Sequence, residues 1–169
     1  MNYKNNHGFT IVELIVVIAI ISVLSGIIMF SVTQYISKGK DSNVSGNLAV
    51  LVPAGEVFYN GNNNSYNDGI TNFCDPQQSS VLKNVIAQMP QNINGYCYGG
   101  TPTDSTDWTS ISNPAGVCCY ANPDGNSWVA YARRFADSAS IYCVDSRGMK
   151  ESVSIDHRNE ITSTSAKCP

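Results

Sequence analysis

The feature that most constrains this chain is an apolar run near its N-terminus. From Leu14 to Ser37 the sequence contains no Asp, Glu, Lys or Arg. At about 1.5 Å per residue, a helix over this run is long enough to cross a hydrocarbon layer of roughly 30 Å. The run therefore predicts a membrane-spanning helix.

One carboxylate, Glu13, lies at the edge of the apolar run. A lone acid beside a membrane span is costly and normally has a partner. The nearest lysines along this part of the chain, Lys4 and Lys38, lie 9 and 25 residues away, which is too far for helical neighbours. A partner on another chain is therefore one hypothesis, and the alternative is that Glu13 is an interface residue of an ordinary membrane anchor.

Composition limits what the rest of the chain can be. Of the 169 residues, about 130 remain for a soluble module once the span is set aside, enough for one modest core. The net charge is only -3 and Arg133-Arg134 is the only basic pair, so a nucleic-acid site has little support. All six cysteines follow residue 70, which favours an oxidising, extracytoplasmic location for the C-terminal part.

The first residues, Met1 to Gly8, are short, polar and weakly basic. A cleaved secretory signal is an alternative, because Ser22 to Gly26 imitates a small-residue cleavage site. Against it, the apolar run continues beyond that point through Phe30, and Glu13 would fall inside the hydrophobic core of the signal.

After the polar leader come the residues Gly8-Phe9-Thr10-Ile11-Val12-Glu13 and then the apolar run. This arrangement resembles the processing and assembly motif of type IV pilins and of the pseudopilins of type II secretion. The resemblance implies that a prepilin peptidase cuts after Gly8 and N-methylates Phe9. It also implies that Glu13 makes the assembly contact, meeting the N-terminal amine of a neighbouring subunit.

The resemblance also implies partners and a location. The partners are identical or related pilin subunits in a helical homopolymer, the prepilin peptidase, the assembly platform protein and ATPase, and the inner membrane before assembly. The chain would be a single-pass prepilin in the cytoplasmic membrane with its head extracytoplasmic, and later part of an extracellular filament. Lys38 and Lys40 follow the span, so the charge count alone does not favour this topology.

We expect an α+β fold in which a long N-terminal helix, embedded in its first half and amphipathic in its second, packs against a small antiparallel sheet. The expected divisions are a leader at 1–8, a hydrophobic helix at 9–34, an amphipathic continuation at 35–60 and a head at 61–169. The apolar positions of the continuation follow helical spacing around Gly55, which has no side chain, and Pro53 predicts a bend nearby: Val44, Leu48, Leu51, Val52, Phe58 and Tyr59.

In the head, the asparagine-rich segment Asn60 to Gly69 predicts a plain connector rather than a calcium loop, because only Asp68 is charged. Apolar spacing predicts a short helix from Ser80 to Met89, ended by Pro90. Strand-forming runs separated by turn residues predict an antiparallel meander with the last strand at its edge: Gly116 to Ala121, Ser127 to Phe135, Ser140 to Asp145 and Lys150 to Ile155. Trp108 and Trp128 are expected in the core rather than on an adhesive surface.

The disulfide candidates are Cys74, Cys97, Cys118, Cys119, Cys143 and Cys168. Sequence does not choose among their pairings. Cys118 and Cys119 are expected to take different partners because they are adjacent. One hypothesis is that Cys118 or Cys119 joins Cys143 across the sheet, while Cys168 fixes the C-terminal tail.

No constellation of catalytic residues, phosphate loop or metal pair emerges, so we expect no enzymatic activity, no cofactor and no metal. Three functions remain open. The chain is a structural subunit of a type IV pilus, a pseudopilin of a type II secretion or DNA-uptake system, or a membrane-anchored extracytoplasmic binding domain without an assembly role.

Overall fold

The computed structural model describes residues 8–89, 95–98, 116–154 and 166–169. It contains two helices and five strands: α1 Ile11–Gly61, α2 Ser80–Gln88, β1 Gly95–Tyr98, β2 Gly116–Ala121, β3 Trp128–Arg133, β4 Ser140–Asp145 and β5 Lys150–Ser154. The chain divides into two compact units, Met1–Ser37 and Lys38–Pro169. The expected α+β class is confirmed.

The sheet has the strand order β1-β2-β3-β4-β5. The strands from β2 to β5 form the predicted antiparallel meander, and β5 is its edge strand. β1 pairs in parallel with β2 and was not predicted. Its four residues carry no alternating pattern of their own, since a parallel strand takes its place from a partner distant in sequence.

Helix α1 covers the inner face of this sheet within the second unit. Val44, Leu48 and Leu51 are at most 1% exposed and pack in one cluster with Val117 and Val144 of the sheet. Their spacing of three and four residues puts them on one face of the helix. The predicted apolar stripe is therefore the surface that holds the sheet.

Gly55 lies where α1 comes closest to Trp128. A Cβ added at this glycine would lie 2.6 Å from Trp128 Nε1 and 3.0 Å from Cε2. Trp128 is 0% exposed, so the prediction that it belongs to the core is confirmed. The missing side chain lets a large aromatic ring pack against the helix backbone.

The second half of α1 is fixed at its start by polar contacts and is ended by residues with left-handed backbone. Asp41 accepts hydrogen bonds from the backbone N–H groups of Phe135 and Ala136 and from Arg134 Nε, the last at 3.3 Å. At the other end Asn63 and Asn64 adopt left-handed backbone, with φ of 51° and 58°, and stop the helix as the asparagine-rich segment predicts. α1 continues through Pro53 without interruption.

The outer face of the sheet is also buried, which sequence reasoning did not foresee. Tyr131, Ile141 and Cys143 are at most 3% exposed, and Ala166 and Cys168 of the C-terminal tail belong to the same cluster. The head therefore has apolar layers on both sides of its sheet.

The cysteine pairing corrects one expectation. Cys74 is bonded to Cys119, and Cys143 to Cys168. Cys118 is also disulfide-bonded. The predicted bridge from Cys118 or Cys119 to Cys143 is wrong, because β3 lies between β2 and β4 and two strand spacings of about 4.8 Å exceed the reach of a disulfide.

Three further expectations fall partly or wholly outside the described residues: Pro90 as the stop of the second helix, Trp108 in the core, and Ile155 as the last residue of the edge strand. α2 itself ends at Gln88, with Met89 as its C-terminal cap. At its start, Ser79 Oγ accepts a hydrogen bond from the Leu82 N–H at 3.2 Å.

Candidate assembly site

The candidate site is the start of α1, where Glu13 lies in the first helical turn. Its Oε2 accepts hydrogen bonds from the Thr10 N–H at 2.8 Å and from the Thr10 hydroxyl at 2.7 Å. In return, the Glu13 N–H donates to Thr10 Oγ1 at 3.3 Å. These reciprocal bonds form a capping box, in which residue N-cap and residue N3 satisfy each other's backbone donors.

The capping role of Thr10 was missed by sequence reasoning, although its signal was present. A Thr followed three positions later by a Glu, just before an apolar run, is the pattern of a capping box. The structure gives the lone carboxylate a partner within its own chain. Glu13 nevertheless remains exposed to solvent, so Thr10 does not screen it from a cation of another molecule.

The two residues expected at the cleavage point precede this box. Gly8 and Phe9 lie outside the helix, and the Phe9 side chain is 79% exposed. Exposed backbone outside a helix is the kind of segment that a peptidase can take into its active site. Thr10 and Glu13 both follow the expected cut, so the capping box depends on no leader residue.

After the box, the apolar side chains of α1 are exposed on every side. The large apolar residues from Ile11 to Met29, together with Val32, are 45–77% exposed, and this helix is long and apolar enough to span a membrane. Such a surface is stable only against lipid or other apolar helices. The first unit therefore needs a covering layer.

The polar groups within this helix are arranged for an apolar environment. Ser22 Oγ donates to the Ile18 carbonyl at 2.7 Å, and Ser25 Oγ donates to the Ile21 carbonyl at 2.8 Å. Hydroxyls bonded to their own helix carry little desolvation penalty. A Cβ at Gly26 would meet nothing within 4 Å, so the backbone is open there to close approach by another helix.

In the head, side-chain oxygens of the asparagine-rich connector accept hydrogen bonds from nearby backbone N–H groups. Asp68 Oδ1 accepts from the N–H groups of Ile70 and Thr71 at 2.9 and 2.7 Å. These bonds lower the pKa of the Asp68 carboxyl. Among the described residues, no three His, Cys, Asp or Glu side chains are grouped as a metal site would need.

The comparisons agree with the geometry of the helix start. The family model described as "Prokaryotic N-terminal methylation motif" matches residues 3–29. No solved structure matches the chain.

Two curated relatives extend the likeness into the head. A probable minor fimbrial protein of Dichelobacter nodosus is 33% identical over 89 residues, which cover 53% of this chain and 54% of the relative. The type IV wide pilus major component PilA4 of Thermus thermophilus is 28% identical over 115 residues, covering 68% of this chain and 87% of the relative. The chain thus spans about half the length of the fimbrial protein and most of the wide pilus component.

The matched motif contains the capping box and the exposed apolar helix from Ile11 to Met29, and both relatives are named as components of fimbriae or pili. The chain therefore matches the N-terminal methylation motif at residues 3–29 and is similar to named components of fimbriae and type IV pili.

Proposed function

We propose that this chain is a structural subunit of a type IV pilus, polymerised through its N-terminal helix. The observation that carries the proposal is Glu13, an exposed carboxylate at the start of a helix whose described apolar side chains up to Val32 are exposed. The names of both relatives support a filament component over the two alternatives, a pseudopilin of a secretion or DNA-uptake system and a membrane-anchored domain that does not assemble. The role is structural, and no enzymatic activity is assigned.

The proposal divides the chain by task. Residues 1–8 are the leader, 9–34 the membrane and assembly helix, 35–60 its amphipathic continuation and 61–169 the head. The prepilin peptidase cuts after Gly8 and methylates Phe9. The subunit waits in the inner membrane until the platform protein and ATPase add it to the filament.

The cut creates a cation at the start of the helix, and this positive charge needs a counter-ion there. The new Phe9 amine keeps its charge when it is methylated, and it lies in an apolar setting. Two unit charges about 4 Å apart at an effective dielectric constant near 20 attract by roughly 4 kcal/mol. Desolvation removes much of this gain, so the contact with Glu13 of a neighbour chiefly fixes the axial register between helices.

The capping box supports the waiting state. Before assembly the two hydrogen bonds from Thr10 stabilise the Glu13 carboxylate within its own chain. A carboxylate accepts about four hydrogen bonds through its two oxygens. Oε2 carries both Thr10 bonds, so Oε1 remains for a neighbour's amine.

The test compares Glu13→Ala and Glu13→Gln with the wild-type chain in a host that contains the peptidase and the assembly machinery. We expect normal cleavage and membrane insertion, shown by mass spectrometry of the N-terminal peptide starting at methylated Phe9. We expect loss of most subunits from the sheared filament fraction. Ser22→Ala, in the same helix but without a charge change, is the control and should assemble normally.

Three results would contradict the proposal. A chain that keeps Met1 in such a host is a plain membrane-anchored domain. Normal filament incorporation of both Glu13 variants would remove the assembly contact. Cleavage without long surface filaments in the wild type would instead favour the pseudopilin.

A further inference from the structure

A buried carboxylate at the end of β4 organises the turn that follows it. The side chain of Asp145 is 0% exposed. Its Oδ1 accepts hydrogen bonds from the N–H groups of Arg147 at 2.9 Å and Met149 at 3.3 Å. The turn is completed by Gly148, whose φ of 81° suits a glycine.

The other oxygen of this carboxylate holds the C-terminal tail. Asp145 Oδ2 accepts from the Cys168 N–H at 3.0 Å. Arg147 Nη2 donates both to Asp145 Oδ2, at 2.6 Å, and to the Cys168 carbonyl, at 3.0 Å. The backbone donor and acceptor of Cys168 are therefore both occupied by this ion pair.

The same tail residue is joined through its sulfur to β4. Cys143 precedes Asp145 by two positions, so both side chains project from one face of the strand. The Cys143–Cys168 disulfide has a Cα–Cα distance of 5.9 Å. Hydrogen bonds and a covalent bond thus hold one residue to one strand face, and the hydrogen bonds require only the backbone of Cys168.

We propose that Asp145 and Arg147 select the disulfide partner of Cys168. They bind the tail to β4 while the cysteines are still reduced, and this contact places the Cys168 thiol beside Cys143. Charged hydrogen bonds to a buried carboxylate are strong enough to order such a segment. Without these hydrogen bonds, the Cys168 thiol could pair with any of the five other cysteines.

The chemistry is ordinary thiol–disulfide exchange with a disulfide oxidant such as oxidised glutathione. The thiolate of one cysteine attacks the oxidant, forms a mixed disulfide and releases one glutathione thiolate. The second cysteine thiolate then attacks the protein sulfur of that mixed disulfide and displaces the other glutathione. The protein loses two electrons and two protons, and the oxidant becomes two thiols.

The first test measures the effective concentration of the Cys143–Cys168 pair. The full chain in detergent is equilibrated in glutathione buffers, blocked by alkylation and mapped by mass spectrometry. We expect the Asp145→Asn chain to lose about tenfold in effective concentration and to show mispaired Cys168, since hydrogen bonds to a charged group are at stake. Arg147→Ala should lose less, because its side chain is 46% exposed.

Arg133→Ala is the matched control. Arg133 also bonds a backbone carbonyl, that of Ser138 at 3.0 Å, and it has no hydrogen bond to the described tail residues 166–169. The disulfide pairing of Cys168 in this variant should equal that in the wild type. An unchanged effective concentration in Arg147→Ala and Asp145→Asn would overturn the proposal, and Arg147→Ala alone decides if the other variant does not fold.

A second measurement separates selection from passive support by the finished bridge. In a chain with Cys143→Ser and Cys168→Ser, we expect the amide of residue 168 to stay protected from hydrogen exchange. Adding Asp145→Asn should abolish that protection. Free exchange at residue 168 with Asp145 intact would mean that the bridge places the tail, and the proposal would fall.

Discussion

At the scale of single residues, the closest packing in the head depends on the absence of a side chain. Trp128 is fully buried against α1 at the position of Gly55. Adding a methyl group there brings it to 2.6 Å from Trp128 Nε1, a distance that real Cβ contacts do not reach. The indole ring is held by the sheet and the core, so relief requires the helix to move.

We predict that Gly55→Ala lowers the free energy of unfolding by about 1–3 kcal/mol, the usual cost of overpacking a core. Gly46→Ala is the matched control, because a Cβ at this helical glycine meets nothing within 4 Å. It should stabilise the helix by up to about 1 kcal/mol. Denaturant unfolding of both chains measures the difference, and equal stabilisation by both alanines would contradict the packing argument.

Single residues also show where sequence reasoning succeeds and fails. Glu13 and Gly55 stand out by local contrast, one as a charge beside an apolar run and the other as a gap in an apolar stripe. The capping partner Thr10 was equally visible but was overlooked. The partners of Cys119 and Cys143 were not visible, because they depend on strand order and on how the tail returns to β4.

At the scale of elements, the β3–β4 turn is closed by a carboxylate. Asp137 Oδ2 accepts from the Ser140 hydroxyl at 2.8 Å, and its Oδ1 accepts from the Ala139 N–H at 3.0 Å. The Ser140 bond is the largest of the causes that hold the pKa of Asp137 below its ordinary value, ahead of the Ala139 bond and the charge of Arg134. Protonation weakens both bonds, because it removes the negative charge that strengthens them.

The sign of the pH effect follows from this lowered pKa. The turn gains stability from the ionised carboxylate above the ordinary carboxyl pKa, and it loses that gain as the pH falls through the lower folded value. We predict that Ser140→Ala raises the pKa of Asp137 toward its ordinary value. Carboxyl carbon shifts in an NMR titration measure this, with Ser138→Ala as control, and an unchanged Asp137 titration would contradict the assignment.

Elements differ in how far the sequence alone specifies them. The apolar spacing of α1 and α2 and the turn residues between β2, β3 and β4 locate these elements within a few positions. β1 and the buried outer face of the sheet depend on pairing between distant segments, so no local pattern marks them. The apolar first part of α1 is the reverse case, since its length and lack of charge identify it without any tertiary contact.

At the scale of the whole molecule, the two units bury apolar surface by different means. Among the described residues, every fully buried apolar side chain lies at or after Val44, whereas the large apolar residues up to Val32 are exposed. The head therefore contains its own core, together with the Cys74–Cys119 and Cys143–Cys168 bridges. None of the described core residues belongs to the first unit, whose apolar side chains are stable only against lipid or other apolar helices.

A chain that begins at Lys38 should consequently fold alone and remain soluble. It keeps the part of α1 that packs on the sheet through Val44, Leu48 and Leu51, and it keeps Asp41, which binds the β3–β4 turn. Disulfide mapping should find both bridges, and flotation with phospholipid vesicles should leave this chain in solution while the full chain partitions into the bilayer. Aggregation of the shortened chain, or loss of either bridge, would mean that the apolar helix takes part in folding the head. With both outcomes as expected, the energy that drives insertion and polymerisation would come from the first unit alone, because the described residues of the head expose no apolar surface of that size.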